Sequence, residues 1–314
     1  MVLYLLRVFV QFAVTLLGIV TITFFLMRAI PGDPALYMLG DFATDAALEA
    51  LRARLGLDLP VHQQYLLFLE RAVTGDLGRS VVTGQSALRE MGAALPWSLS
   101  LAVAGLVVAV GVGVPLGILA AIRRGTWTDV AIMLLALLGI SFPVFWIGLV
   151  GILLLSHGAG LFPALGASTQ PGFWVGVHHL ILPALVLGLS VAAYVARLTR
   201  SAMLEVLGQD YIRVARAMGV PERRIILRLA LRNAFIPILA VIGVTFAWSL
   251  GNAILVEVVF SRPGLGSTVL KAIFARDYQL VQAGVLILAT GVVLINVTLD
   301  LLYGVIDPRI RMGR

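Results

Sequence analysis

Long apolar runs alternate with polar segments along this chain. A helix that crosses a bilayer rises about 1.5 Å per residue through about 30 Å of hydrocarbon, so it needs roughly 17–25 predominantly apolar residues. Six runs meet this requirement. The pattern predicts an all-α integral membrane protein, one transmembrane domain over 1–314, with spans at 8–27, 97–122, 130–155, 180–196, 236–256 and 281–303.

Two polar segments, 31–96 and 197–233, are longer than a connection between neighbouring spans requires. In the first, leucines at helical spacing precede Gly56, and a second helical pattern runs from Pro60 to just before Gly75. We therefore expect two helices there. They form either a small cap on the ends of the spans or a docking surface for an external partner.

The basic residues predict the orientation of the spans. Short cytoplasmic segments carry an excess of Lys and Arg, and an N-terminus inside the cell puts most of the 23 basic residues on the cytoplasmic side. Both termini and segment 197–233 are then cytoplasmic, and segment 31–96 is a helical extracytoplasmic loop. Topology thus explains the net charge of +7, and we expect a lipid membrane but no nucleic acid as a partner.

The composition agrees with a membrane location and argues against an ATPase. The chain is 60% hydrophobic and 12% charged, which is far more apolar than a soluble domain. Its single lysine, Lys271, follows Leu270, so it lacks the Gly-Lys pair of a phosphate-binding loop. We expect no ATPase of that type within the chain, and no catalytic residue or cofactor site.

Few ionisable residues lie within the predicted spans. Asp300 is the one candidate, and we interpret it as a carboxylate that reaches the membrane interface or pairs with Arg309 or Arg311. A proton-driven secondary transporter or a membrane enzyme would keep more such groups, so both are disfavoured. No metal site is expected, since the chain has no cysteine and the adjacent pair His178 and His179 would point in two directions on a helix. All four histidines fall in predicted outer segments, at His62, His157, His178 and His179.

Two features within the spans affect helix geometry. Gly113 and Gly117 form a small-xxx-small pair, which allows neighbouring helices to approach closely. Pro143 lacks a backbone donor and clashes with the preceding turn, so it must kink or interrupt the third span. Such a kink serves gating in some membrane proteins and only packing in others, and we keep Pro143 as a candidate gating kink.

Residues 210–221 read Asp-Tyr-Ile-Arg-Val-Ala-Arg-Ala-Met-Gly-Val-Pro. Tyr211, Ala215 and Met218 share a helical face, so this stretch predicts a short amphipathic helix that ends at Gly219. A stripe of arginines, at Arg224, Arg228 and Arg232, follows it. The helix either seats in a cleft of another protein or lies on anionic lipid.

This segment resembles the cytoplasmic motif of the permeases of ATP-binding-cassette importers for dipeptides, oligopeptides and nickel, in particular the first of their two permease subunits. The family pattern E-A-A-x-x-x-G falls on 213–219, with Arg213 in place of Glu and Val214 in place of the first Ala. The following I-x-L-P falls on 229–232, where Arg232 replaces Pro. These departures are similar to the peptide-importer form D-Y-x-R-x-A-R-A-x-G.

Further family-like motifs follow in order at 30–34, 75–80, 142–146, 261–266, 276–278, 300–303 and 307–311. The resemblance implies a type I importer permease of the cytoplasmic (inner) membrane that works by alternating access. It also implies a second homologous permease subunit, two ATPase subunits that bind ATP and Mg²⁺, and an extracytoplasmic substrate-binding protein. Peptides are the expected substrate, with nickel, glutathione or another small solute as alternatives that no residue distinguishes.

Within that resemblance, segment 197–233 is the expected coupling loop through which ATPase movement reaches the spans. Gly219 is expected to permit the sharp turn that seats the coupling helix. The candidate coupling residues are Asp210, Tyr211, Arg213, Ala215, Arg216, Ala217, Gly219 and Pro221.

Overall fold

The computed structural model describes residues 2–29, 35–36, 44–168 and 172–306, with side chains described except at 2–9, 54–55 and 299–306. The predicted motifs at 30–34 and 307–311 lie outside these residues, as does the side chain of Asp300. Eleven helices account for most of the described chain. They are α1 (Val2–Ala29), α2 (Asp45–Leu55), α3 (Val61–Thr74), α4 (Ala87–Ile122), α5 (Trp127–Ser141), α6 (Val144–Gly158), α7 (Phe173–Leu207), α8 (Asp210–Ala217), α9 (Glu222–Val259), α10 (Leu265–Phe274) and α11 (Tyr278–Ile306).

The prediction of an all-helical membrane protein is confirmed. Within the described ranges, five helices are long and apolar enough to cross a membrane, or six if the bent pair α5 and α6 forms one span. Several helices extend well beyond the predicted spans; α7 has 35 residues and α4 has 36. The apolar pattern identifies only the residues that can lie in the hydrocarbon of the bilayer. A helix can continue into polar residues until a helix-breaking residue ends it.

The predicted interruption at Pro143 is present. Helix α5 ends at Ser141, Phe142 and Pro143 are extended, and α6 leaves at 100° to α5. Phe142 and Trp146 stack across the break, with ring centroids 4.5 Å apart. A role of this break in gating stays a prediction.

The chain forms two compact units, Met1–Pro96 with Pro263–Val297, and Trp97–Arg262 with Thr298–Arg314. In the first unit, α2 and α3 lie where the sequence predicts them, and both end at a glycine with positive φ, Gly56 (+69°) and Gly75 (+78°). Helix α3 packs on α1 through Phe24, which is fully buried against Tyr65. Their role as a cap on the spans or as a docking surface for an external partner stays a prediction.

The same unit holds its core between the start of α4, α10 and α11. Asp277 precedes α11 and is 1% exposed. Its Oδ1 accepts the N–H of Leu280 (3.1 Å), which caps the helix, while Oδ2 accepts the Ser80 hydroxyl (2.5 Å) and the N–H of Val81 (3.0 Å). One carboxylate therefore both caps α11 and fixes the loop that carries Ser80.

In the second unit, α7 is the central helix and contacts α4, α5, α6 and α9. The predicted close approach at Gly113 and Gly117 is present, since α4 passes so near α7 that a Cβ would lie 2.7 Å from the Ala192 carbonyl oxygen and 2.5 Å from that of Ala196. Gly188 of α7 makes a similar approach to α4. Glycines thus set the separation of these two helices.

Candidate functional site

Segment 197–233, the predicted cytoplasmic coupling loop between two spans, is mostly helical. Helix α7 continues to Leu207, α8 follows, and α9 begins at Glu222. Helix α7 continues past the predicted span 180–196 because residues 197–207 hold no Gly or Pro, so nothing ends it before Gly208. The segment is therefore a short helix held between the ends of two long ones.

Helix α8 forms as predicted, and one of its faces packs on its own chain. Ile212 (0% exposed) and Ala215 (6%) pack on Ile225 of α9, with Leu207, Val220 and Leu229 around them. Of the three residues predicted to share a face, Ala215 is buried in this contact, whereas Tyr211 and Met218 are exposed. Apolar residues occupy both sides of this eight-residue helix, so the spacing in the sequence does not decide which side is buried. Contact with α9 decides it.

The uncovered side of α8 carries Tyr211, Val214 and Met218, which are 43%, 54% and 71% exposed. Their spacing of three and four residues aligns them on one strip of the helix. We call these three residues the apolar ridge. The Tyr211 hydroxyl accepts a hydrogen bond from the Asn233 amide (2.9 Å), which fixes one end of the ridge to α9.

A tight turn at Gly219 ends α8. The residue has φ +79°, a left-handed conformation that side chains disfavour, and a Cβ there would meet nothing within 4 Å. The N–H of Gly219 bonds the Arg216 carbonyl (2.9 Å) and that of Val220 bonds the Ala215 carbonyl (3.1 Å). This is the helix-ending pattern that glycine favours.

The remaining candidate residues surround this turn. Asp210 lies in the first turn of α8 and pairs with Arg213, while Ala217 is exposed and Pro221 precedes α9. Arg216 bonds Glu222 across the turn (2.7 Å), and this bond raises the pKa of the guanidinium. Both pairs are exposed and contribute little stability. All eight candidate residues thus belong to one helix and its turn.

The sequence interpretation missed several buried ionisable groups in the second unit. Glu257 is 1% exposed and accepts the Ser98 hydroxyl. Asp129 is 4% exposed, and its carboxylate takes two bonds from Arg200 of α7 (2.6 and 2.7 Å). Glu257 lies one residue after the predicted span 236–256, and Asp129 lies one residue before the predicted span 130–155. The apolar pattern therefore assigned both acids to polar segments.

Arg262 is the most connected of these groups. It is 3% exposed, and its guanidinium donates to the carbonyls of Gly166 and Trp97 (3.3 Å) and to the Ser100 hydroxyl (2.8 Å). It therefore ties the end of α9 to α4 and to the loop at 159–168. The only signal in the sequence is its place in the family-like motif at 261–266.

We expect Arg262→Lys to destabilise the chain. Lysine keeps the charge but cannot reproduce the planar fork that reaches three acceptors. The loss of hydrogen bonds to a buried charged group costs about 1–3 kcal/mol, or several degrees of melting temperature. Thermal unfolding of the purified protein in detergent measures this. Exposed Arg124→Lys is the control, and equal melting temperatures for the two variants would contradict the role of Arg262.

Metal binding finds no support in the described part of the chain, which has no group of three or more His, Cys, Asp or Glu that could hold an ion. His178 and His179 instead contact the carbonyl oxygens of Leu161 (3.1 Å) and Leu165 (2.7 Å). These histidines help to hold the loop at 159–168.

Several helices long and apolar enough to cross a bilayer define a multi-pass membrane protein. The chain belongs to the family described as binding-protein-dependent transport system inner membrane component, whose model matches residues 113–312. A model for the N-terminal part of such membrane components matches residues 1–102. The resemblance seen in the sequence is confirmed: this is an inner-membrane permease of an ATP-binding-cassette importer.

Relatives cover nearly the whole chain. It is 42% identical over 323 residues to the di/tripeptide transport system permease protein DppB of Pseudomonas aeruginosa, with 96% of each chain covered. It is also 42% identical over 322 residues to the dipeptide transport system permease protein DppB of Escherichia coli K12, with 95% of each covered. The DppB of Alkalihalophilus pseudofirmus is 39% identical over 317 residues, covering 94% of this chain and 95% of that one.

Proposed function

We propose that this permease forms one half of the path by which an ATP-driven importer carries di- or oligopeptides across the cytoplasmic membrane. Relatives named as dipeptide or di/tripeptide permeases, aligned over nearly the whole chain, support a peptide substrate. The alternatives, nickel or another small solute such as glutathione, gain no support from these names. The apolar ridge is the observation that supports coupling to an ATPase.

The partners we propose are a second homologous permease, two ATPase subunits that bind ATP and Mg²⁺, and an extracytoplasmic binding protein. Membership of a binding-protein-dependent family supports the binding protein and the ATPases. The apolar ridge and the turn at Gly219 are the proposed contact with one ATPase. An uncovered strip of three apolar side chains on a short helix suits a cleft on another protein, which removes those side chains from water.

Coupling requires that the ATPases contact α8 differently in their two states, because a nucleotide shifts an equilibrium only through differential affinity. Helix α8 is packed on α9 through Ile212 and Ala215, so a push on α8 is transmitted to a helix that spans the membrane. Closure of the ATPases would open the path outward, and hydrolysis would reset it. Both termini and α8 are cytoplasmic in this arrangement.

Transport by the reconstituted complex tests this function. The two permeases and the ATPases are reconstituted in liposomes, and the binding protein is added on the opposite side of the membrane from the ATPases. Uptake of a labelled dipeptide is followed with ATP, or with a non-hydrolysable analogue, on the side that carries the ATPases. We expect uptake with ATP and none with the analogue. Uptake by the isolated chain under an ion gradient would instead show a secondary transporter and overturn the proposal.

We expect an acid on the apolar ridge to uncouple the ATPases. Val214→Asp and Met218→Asp would bury an unpaired carboxylate in the contact, which costs several kcal/mol, so ATPase binding should fall by about tenfold or more. Copurification of the ATPases with tagged permease measures the loss.

Gln209→Asp is the matched control for these variants. It adds the same charge just before α8, at a position where an acidic side chain favours a helix. Normal copurification by both ridge variants would show that the ridge does not contact the ATPases. Equal loss in the control would assign the effect to charge rather than to the ridge.

A further inference from the structure

Helix α9 has one face that the described residues leave uncovered. Trp248 is 70% exposed, and Asn252, one turn later, is exposed too. The buried side of the helix carries Ser249 and Ala253, which are 3% and 2% exposed. Gly251 lies beside Asn252, and a Cβ there would meet nothing within 4 Å, so the surface next to the indole is open.

Both side chains belong to the predicted span 236–256. Trp248 is eight residues and Asn252 four residues from its nearer end, or about 12 Å and about 6 Å at 1.5 Å per residue. Tryptophan usually lies at the membrane interface, where its N–H reaches water. Neither the indole N–H nor the Asn252 amide has a hydrogen-bond partner among the described residues.

Hydrocarbon is a poor occupant for this face. An amide without a partner in an apolar medium costs several kcal/mol, because lipid tails supply neither donors nor acceptors. Polar side chains within spans almost always face a water-filled cavity or another polar group. Val244 and Leu255 on the same strip are apolar and exposed, so the Asn252 amide and the indole N–H require an occupant that offers polar and apolar groups together.

We propose that Trp248 and Asn252 line the transport path and contact the main chain of the peptide in transit. The Asn252 amide carries a donor and an acceptor side by side, which match the acceptor and donor of a peptide backbone. The Trp248 indole supplies a broad apolar surface for varied side chains, and Gly251 leaves room between them. The inference rests on the proposed function and identifies the recognised chemistry as the peptide group.

The absence of cysteine from the chain makes a direct test possible. Trp248→Cys, Asn252→Cys and Ala253→Cys are each assembled into the reconstituted complex and treated with a charged, water-soluble thiol reagent, and modification of this chain is measured. A thiol reacts as the thiolate, which forms only where water reaches. We expect the first two to react on the order of tenfold faster than the buried control Ala253→Cys, and peptide delivered by the binding protein to slow them.

Other outcomes would overturn the inference. Labelling of 248 and 252 only by a lipid-soluble maleimide would place the face in lipid. No labelling by either reagent in the assembled complex, with labelling of the isolated chain, would make the face a contact with the second permease. Labelling by the charged reagent that peptide does not slow would show a wet surface away from the path.

A functional variant adds a second readout. Asn252→Leu keeps the approximate shape but removes the hydrogen bonds, so peptide uptake per ATP hydrolysed should fall about 3- to 10-fold in a complex whose subunits copurify as in wild type. Unchanged uptake by this variant would sink the proposed contact. Failure of the wild-type complex to take up any peptide with ATP would refute the proposed function itself, which separates the two results.

Discussion

Gly117→Ala is expected to leave little correctly folded permease. A Cβ at this position would lie 2.5 Å from the Ala196 carbonyl oxygen and 2.6 Å from the Thr199 Cβ. The oxygen belongs to the backbone of α7, so it cannot turn aside as a side chain would. Helices α4 and α7 would have to separate, which also disturbs the close approach at Gly113. Overpacking of this kind costs about 1–3 kcal/mol or more.

Gly111→Ala is the matched control, because it adds the same methyl group to the same helix. Gly111 is exposed, and a Cβ there meets nothing within 4 Å. Alanine also favours helix over glycine by about 1 kcal/mol. We expect size-exclusion chromatography of fluorescently tagged protein to show a severalfold lower monodisperse peak for Gly117→Ala, with the control equal to wild type. Equal peaks for the two variants would contradict the proposed crossing.

The spans were predictable because a bilayer requires a long apolar run, which can be recognised in the sequence without knowledge of any tertiary contact. Residues that end a helix, such as Pro143 and Gly56, were predictable too. Helix ends were not, because α7 continues through polar residues to Leu207, where the apolar pattern has already ceased. Hydropathy reports the surrounding solvent and not the length of the helix.

The buried ionisable groups could not be predicted for a different reason. Asp129 is buried where Arg200, 71 residues away in the sequence, donates a hydrogen bond to its carboxylate. The same holds for Arg262, whose acceptors come from two other segments. A sequence shows a charged residue but not its partner, so charged residues next to a span are predicted to be exposed to water. The buried face of α8 was missed likewise, because contact with Ile225 selects Ile212.

Gly219→Val is expected to uncouple ATP hydrolysis from transport. The residue has φ +79° and empty space around its missing Cβ, so the substitution acts through backbone strain alone. A left-handed conformation costs an ordinary residue roughly 1–2 kcal/mol, and more for a β-branched one. The backbone at residue 219 should leave the left-handed conformation, and the turn would change shape. Helix α8 would then no longer hold the apolar ridge in its present orientation. We expect peptide uptake to fall about tenfold while the isolated chain still folds.

Two controls separate strain from bulk in this experiment. Gly219→Asn adds a side chain that tolerates the left-handed region, so it should retain most uptake. Gly208→Ala changes another glycine of the same segment, where φ is −82° and a Cβ makes only ordinary contacts at 3.5 Å. The measurement is peptide uptake and binding-protein-stimulated ATP hydrolysis in the reconstituted complex. If Val and Asn at 219 behave alike, the turn conformation does not matter for coupling, and α8 must transmit movement through its contact with α9 alone.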